Sequence, residues 1–188
     1  ALIMAGRVAV SGQIQIKGGS KYPEAASIEI LPRSTLKYAS RGGLKLEAAI
    51  KELDVDVAGK IVMDVGASTG GFTDCLLQGG ANLVYAIDVG RGLLDLRLRS
   101  DPRVRLFEKT NARYLESQLF DPRPVLAVID VSFISLPNVL PAVVGCLEKP
   151  FHILALVKPQ FEVGRGKTKG GVVKDQALRQ GAIDKIKE

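Results

Sequence analysis

The 188-residue chain has no tryptophan, one histidine and two cysteines. A single imidazole, His152, excludes a His-rich metal site and leaves no Ser/His or Cys/His nucleophile set, so no metal is expected; in its hydrophobic run His152 is expected to be structural. Cys75 and Cys146 stand far apart in apolar surroundings, which excludes a Cys-x-x-Cys pattern and points to a reducing compartment, the cytoplasm. No apolar run approaches about eighteen residues, so neither a membrane-spanning helix nor a signal peptide is expected. Acidic residues are also in shorter supply than basic ones, 20 against 26, for a net charge of +6. That balance favours an acidic partner, nucleic acid first, over an ordinary mildly basic surface. The length suits one domain with a sizeable core and a small appendage.

What the chain does contain is a strand, a glycine turn and a helix in succession. The apolar run Ile61 to Val65 reads as a buried parallel strand. Gly66-Ala67-Ser68-Thr69-Gly70-Gly71 follows, and Phe72, Leu76 and Leu77 open a helical pattern that stops at Gly79-Gly80. Glycines let a ligand approach the backbone, and a helix start offers unpaired N–H groups. Leu83 to Ile87 is a second strand, and Asp88 at its end can accept hydrogen bonds from both ribose hydroxyls of a nucleoside.

The dinucleotide fingerprint would need glycine at Ser68, where the backbone meets a pyrophosphate. S-adenosylmethionine has no phosphate; it carries a carboxylate, an ammonium, an adenosine and a sulfonium. The stretch therefore favours S-adenosylmethionine over NAD. Asp64 would face the ammonium, directly or through water, the amides from Gly66 to Phe72 the carboxylate, and Asp88 the ribose. Val104 to Phe107 reads as a third strand, followed by Asn111, which either contacts adenine or is a polar turn residue.

Pro124 to Ile129 is a fourth strand ending in Asp130, and Phe151 to Val157 a fifth ending in Lys158. In open α/β sheets the strand carboxyl ends line the ligand crevice, so Asp64, Asp88, Asp130 and Lys158 are expected there together. Upstream, Leu46, Ala49, Ile50 and Leu53 mark one face of a helix. Lys45 stands near the start of that helix, against its dipole, which makes it a functional candidate. The basic, glycine-rich 164–171 segment, with Arg165, Lys167 and Lys169, either closes over phosphates or is a solvated loop. Asp175 caps a last helix.

The first thirty residues differ in texture. Gly6-Arg7-Val8-Ala9-Val10-Ser11-Gly12, with Ile14, Ile16 and Ile28 to Ile30, resembles the end of the small RNA-binding fold named after ribosomal protein S-four; a decorating hairpin is the alternative. The expected division is 1–30 for this piece, 31–39 for a linker and 40–188 for the catalytic domain. Arg7, Lys17 and Arg41 join the three loop cations as candidate RNA contacts.

Four motifs carry a second resemblance: Ser40-Arg41-Gly42-Gly43-Leu44-Lys45-Leu46, Asp64 to Asp74, Asp130-Val131-Ser132-Phe133-Ile134-Ser135, and Val157-Lys158-Pro159-Gln160-Phe161-Glu162. Together they resemble the TlyA family, which is similar to FtsJ-type ribosomal RNA methyltransferases. The resemblance implies a Rossmann-like, mostly parallel α/β sheet with helices on both faces. It implies S-adenosylmethionine-dependent 2'-O-methylation of ribose in the RNA of the small subunit and often the large one. It also implies a lysine–aspartate–lysine–glutamate set, of which Lys45, Asp130 and Lys158 match the first three. The glutamate belongs to a later strand that the 188 residues are expected to lack, and Glu162 is out of place for it. Two alternatives stay open: an RNA-binding module with a vestigial enzyme fold, and, from the family's haemolysin naming, a membrane-active protein.

Overall fold

The structure is a computed structural model that describes residues 2–3, 8–15, 17–31, 37–164, 168 and 172–187. Arg7, Arg165, Lys167 and Lys169 lie outside the described residues. Strands β1 (Val8–Val10), β2 (Gln13–Gln15) and β3 (Ile28–Ile30) form an antiparallel sheet of order β2-β1-β3. Val10 pairs with Gln13 across the two-residue turn Ser11-Gly12, whose φ values of 50° and 77° match the twist of a tight hairpin. Lys17 follows β2 and is exposed.

The larger part alternates helix and strand: α1 (Gly42–Glu52), β4 (Ile61–Val65), α2 (Gly71–Gln78), β5 (Leu83–Ile87), α3 (Leu96–Arg99), β6 (Val104–Phe107), β7 (Leu126–Ile129), α4 (Leu140–Cys146), β8 (His152–Ala155), α5 (Pro159–Glu162) and α6 (Gln176–Lys187). The five strands β6-β5-β4-β7-β8 pair in parallel in that order. The inner strands β5, β4 and β7 are almost wholly buried, and apolar but for Asp64, because both of their faces are covered. Val62, Val84, Ala86, Leu126 and Val128 pack with Leu46 of α1, Phe72 and Leu76 of α2 and Leu98 of α3. Met63, Val65, Tyr85, Ile87, Ala127 and Ile129 pack on the other side with Leu136, Val139, Val143 and Cys146. Seven of the eight residues of α2 are buried, which locks this helix to the sheet; each buried Phe or Leu stabilises by about 1.5–3 kcal/mol.

Three expectations shift. The helix begins at Gly42 and ends at Glu52, so Leu53 falls at its C-cap and is 61% exposed rather than on the buried face. The fourth strand starts at Leu126, since Pro124 has no N–H for a ladder. His152 opens β8 and is exposed, not enclosed by its hydrophobic neighbours. Asp175 caps α6 as expected, its Oδ1 accepting from Leu178 N at 3.1 Å.

The central strand β4 has β5 on one side and β7 on the other. The chain thus reverses its winding at β4, and a crevice opens beyond the carboxyl ends of β4 and β7. Gly66 and Asp130 are the first residues past those two ends. Among the described residues, no helix is long and apolar enough to cross a membrane.

Candidate active site

The glycine turn after β4 has the backbone that its sequence requires. Gly66 has φ 91°, and a Cβ there would lie 2.7 Å from the Asp130 carbonyl oxygen. Only glycine lets the two strand ends approach this closely. At Gly71 an added Cβ would run into Ser40 Oγ, with Gly43 N 3.0 Å away. A Cβ at Gly43 would in turn collide with the Tyr38 ring. The Ser-Arg-Gly-Gly motif therefore brings the start of α1 close against the start of α2, backbone to backbone between Gly71 and Gly42-Gly43, with the Ser40 hydroxyl beside them. Asp74, buried on α2, holds the same approach by accepting from Ala39 N at 2.7 Å.

Two cavities meet at this turn. One, of about 460 Å³, is walled by Ser40, Arg41, Lys45, the Gly66–Thr69 turn, Phe72 and Asp130. The other, of about 510 Å³, has apolar walls, including Ile87, Leu93 and Ile134, with Asp88, Asn111 and Ser132 as polar members. Gly66, Ser68 and Asp130 belong to both. Of the expected cofactor residues, Gly66, Ala67, Ser68, Thr69, Gly71, Phe72, Asp88 and Asn111 line a cavity. Gly70 lines neither; a Cβ there would strike Leu94 and Leu98 of the packed layer below.

Asp64, expected to face the ammonium directly or through water, lines neither cavity. Alternation along β4 turns it, like Val62, toward α2. It is fully buried, and Oδ2 accepts from Thr73 Oγ1 at 2.6 Å while Oδ1 has no hydrogen-bond partner. Burial pushes its carboxyl up to about 7, with the Asp130 and Asp88 charges adding and the two Thr73 hydrogen bonds opposing.

Asp88 has both oxygens engaged by backbone: Oδ2 accepts from Ser68 N at 2.8 Å and Oδ1 from Gly90 N at 2.7 Å. It ties the glycine turn to the loop after β5. Each oxygen keeps a second lone pair, so the contacts do not exhaust it. Ser68 needs that tie, since it holds φ 49° without being glycine. Asn111 caps the short turn Ala112–Tyr114, accepting from Arg113 N at 3.0 Å.

Asp130 links the other two expected catalytic residues: it lines a cavity with Lys45 and pairs with Lys158, which itself lines neither cavity. Lys158, two residues beyond Leu156, stands at the N-cap of α5, and its Nζ is 2.6 Å from Asp130 Oδ1. The contact is an ion pair without the angles of a directed hydrogen bond. The same Nζ donates to Ser132 Oγ at 2.7 Å. Lys45 is exposed on the wall that it shares with Asp130.

Several residues that matter here carried no sequence signal of their own. Glu162 is buried; it accepts from Leu136 N at 2.9 Å and from Ser135 Oγ. It pins the loop after β7 to the short helix that starts at Lys158. Phe133 has φ 65°, is 91% exposed and sits 5.1 Å from the Phe161 ring centroid. Thr73 could have been found from the Asp64 spacing, because a strand-end carboxylate and a residue one turn into the next helix commonly face each other.

Residues 38–188 match the family model of the FtsJ-like methyltransferases. The chain is 45% identical over 183 residues to the 16S/23S rRNA (cytidine-2'-O)-methyltransferase TlyA of Mycobacterium tuberculosis, spanning 97% of this chain and 68% of that protein. A solved structure from Streptococcus thermophilus, described as a candidate haemolysin, superposes with a TM-score of 0.79 at 44% identity, over 98% of this chain and 68% of the other. A candidate S-adenosylmethionine-dependent methyltransferase from Listeria monocytogenes shares the fold, with a TM-score of 0.50 at 16% identity over 64% of this chain and 55% of its own.

Proposed function

The chain belongs to the FtsJ-like methyltransferase family, and on that premise we propose that it moves the methyl group of S-adenosylmethionine to a ribose 2'-hydroxyl of ribosomal RNA, in the small subunit, the large subunit or both. The observation that carries the reading is the place of Asp130, which lines the cavity of the glycine turn together with Lys45 and pairs with Lys158. The relative named TlyA supports ribosomal RNA as the substrate class.

The residues present fit the donor. The apolar cavity suits an adenine ring, and Asp88 retains acceptor capacity for ribose hydroxyls. The amides at the start of α2 suit a carboxylate. Asp64 acts from beneath: ionised, it adds negative potential below the turn, which favours a cationic ligand without touching it. When bound, the donor supplies an activated methyl group on a sulfonium that leaves readily. What remains for the protein is to place the 2'-hydroxyl and remove its proton.

Lys158 takes that proton on Nζ. Asp130 holds the amine at the crevice, and Lys45, which lines the same cavity as Asp130, offers positive charge to the oxygen as its proton departs. Arg41, on the same wall, is placed for a phosphate beside the target ribose. Residues 1–30 would add a second RNA contact, 31–39 a link, and 40–188 the chemistry, in a cytoplasmic enzyme.

Lys158→Ala in the full-length protein is expected to slow single-turnover methyl transfer to ribosomal subunits by roughly 100- to 10,000-fold, the range for a lost general base. Affinity for S-adenosylmethionine should survive. Lys158→Arg should not rescue, because a guanidinium stays protonated. An active Arg variant would leave Lys158 as a positioning cation and refute its role as base.

A further inference from the structure

Lys158 Nζ has two oxygen neighbours, Asp130 Oδ1 at 2.6 Å and Ser132 Oγ at 2.7 Å. A neutral lysine amine carries two N–H groups and one lone pair, set tetrahedrally on nitrogen. Held by Asp130 alone, the amine could still turn about its last C–N bond, and the lone pair would sweep an arc. A directed hydrogen bond to Ser132 Oγ stops the turn, and the Asp130 carboxylate, drawing the other N–H toward itself, leaves the lone pair the remaining direction. We propose that Ser132 is a positioning residue for the methyl transfer: its Oγ accepts a Lys158 N–H and so aims the lone pair at the ribose 2'-hydroxyl. The inference rests on the reading of Lys158 as the base.

Solvent reaches Ser132, yet its place is fixed. It lies two residues past Asp130 in the wall of the apolar cavity. The chain turns through the left-handed conformation at Phe133 directly after it. Glu162 then clamps the same loop at Ser135 and Leu136. Lys158 and Glu162 bound one short helix, so one rigid turn carries both the amine and the clamp that sets the height of Ser132.

Ser132 makes and breaks no covalent bond in this scheme. The 2'-O–H bond breaks as Lys158 nitrogen takes the proton. The oxygen forms its bond to the methyl carbon, and the carbon–sulfur electron pair returns to sulfur, leaving a neutral thioether. The serine hydroxyl acts on the step only by fixing where the nitrogen lone pair points.

The test compares Ser132→Ala and Ser132→Thr with wild type in the full-length protein. Removing the hydroxyl should slow single-turnover methyl transfer about tenfold, the upper scale of one hydrogen bond between neutral groups. Threonine, which keeps the hydroxyl, should restore the rate to within about threefold. Affinity for S-adenosylmethionine, read by calorimetry, should be the same in all three. Independently of turnover, acylation of Lys158 by acetic anhydride, followed by mass spectrometry, should be several times faster in the alanine variant, whose amine has lost an acceptor. An alanine variant with the wild-type transfer rate, a threonine variant as slow as alanine, or identical acylation rates would each overturn the proposal. If wild type transfers no methyl group to RNA, the functional reading fails by itself. Acylation then decides the contact: a difference upholds the hold of Ser132 on Lys158, and equal rates overturn it.

Discussion

Asp88→Ala separates two jobs that the structure gives to one carboxylate. The oxygens accept from Ser68 N at 2.8 Å and Gly90 N at 2.7 Å, and both are charge-assisted hydrogen bonds. Asp88 is half-buried, so each contributes near the lower end of the usual range, and losing both should cost about 2–4 kcal/mol of stability. For a chain of this length that lowers Tm by roughly 5–12 °C. If the remaining lone pairs also receive ribose hydroxyls, affinity for S-adenosylmethionine should fall by about 1–3 kcal/mol, or roughly 5- to 150-fold. Asp88→Asn, which keeps one acceptor oxygen, should fall between wild type and alanine in Tm. Thermal unfolding reads the first job and calorimetric titration the second. A lowered Tm with unchanged affinity would make Asp88 a tie between loops and remove it from the ligand site.

Asp64→Asn tests the buried carboxyl by pH. Its folded value near 7 lies above the unfolded value, so its stabilising contribution is whole below about pH 4 and is lost as pH rises through about 7. The asparagine variant should therefore gain on wild type by roughly 2–3 kcal/mol between pH 5 and pH 8, measured by urea unfolding; parallel stabilities would refute the shift. Glu162→Ala strips acceptors from Leu136 N and Ser135 Oγ in a buried place and should cost about 2–4 kcal/mol, read as a drop in Tm. Removing residues 1–30 should weaken RNA binding and flatten its salt dependence while sparing affinity for S-adenosylmethionine. An unchanged salt slope in filter binding would deny that piece an RNA-binding role.

The sheet was legible in the sequence because its strands are buried on both faces and read as unbroken apolar runs. The crevice was legible too, since each run ends in a polar residue and parallel pairing puts all those ends on one edge. Asp64 escaped because alternation fixes only that neighbouring residues face opposite ways. Which way is settled by Thr73, nine residues later on the next helix. Gly42 and Gly43 stand in the sequence as the lead into a helix, and their tight contact with Ser40, Tyr38 and Phe72 is one that no local pattern announces. The resemblance leaves Glu162 out of place for the fourth glutamate and gives it no other part. Its clamp on Leu136 depends on two loops from different strands, 26 residues apart, meeting in space.

The contact between the starts of α1 and α2 sets a mechanical tolerance. Where side chains meet, a misfit of half an ångström is absorbed by a change of rotamer. Here a Cβ at Gly71 would lie 3.0 Å from Gly43 N and 3.3 Å from Gly42 Cα, and backbone has no rotamer to yield. A displacement at that seam is handed to α1 as a whole, and Lys45 rides less than one turn along it. A methyl group added at position 71 would thus act as a wedge under a stiff lever. Its effect should be read in the position of a lysine that it never touches.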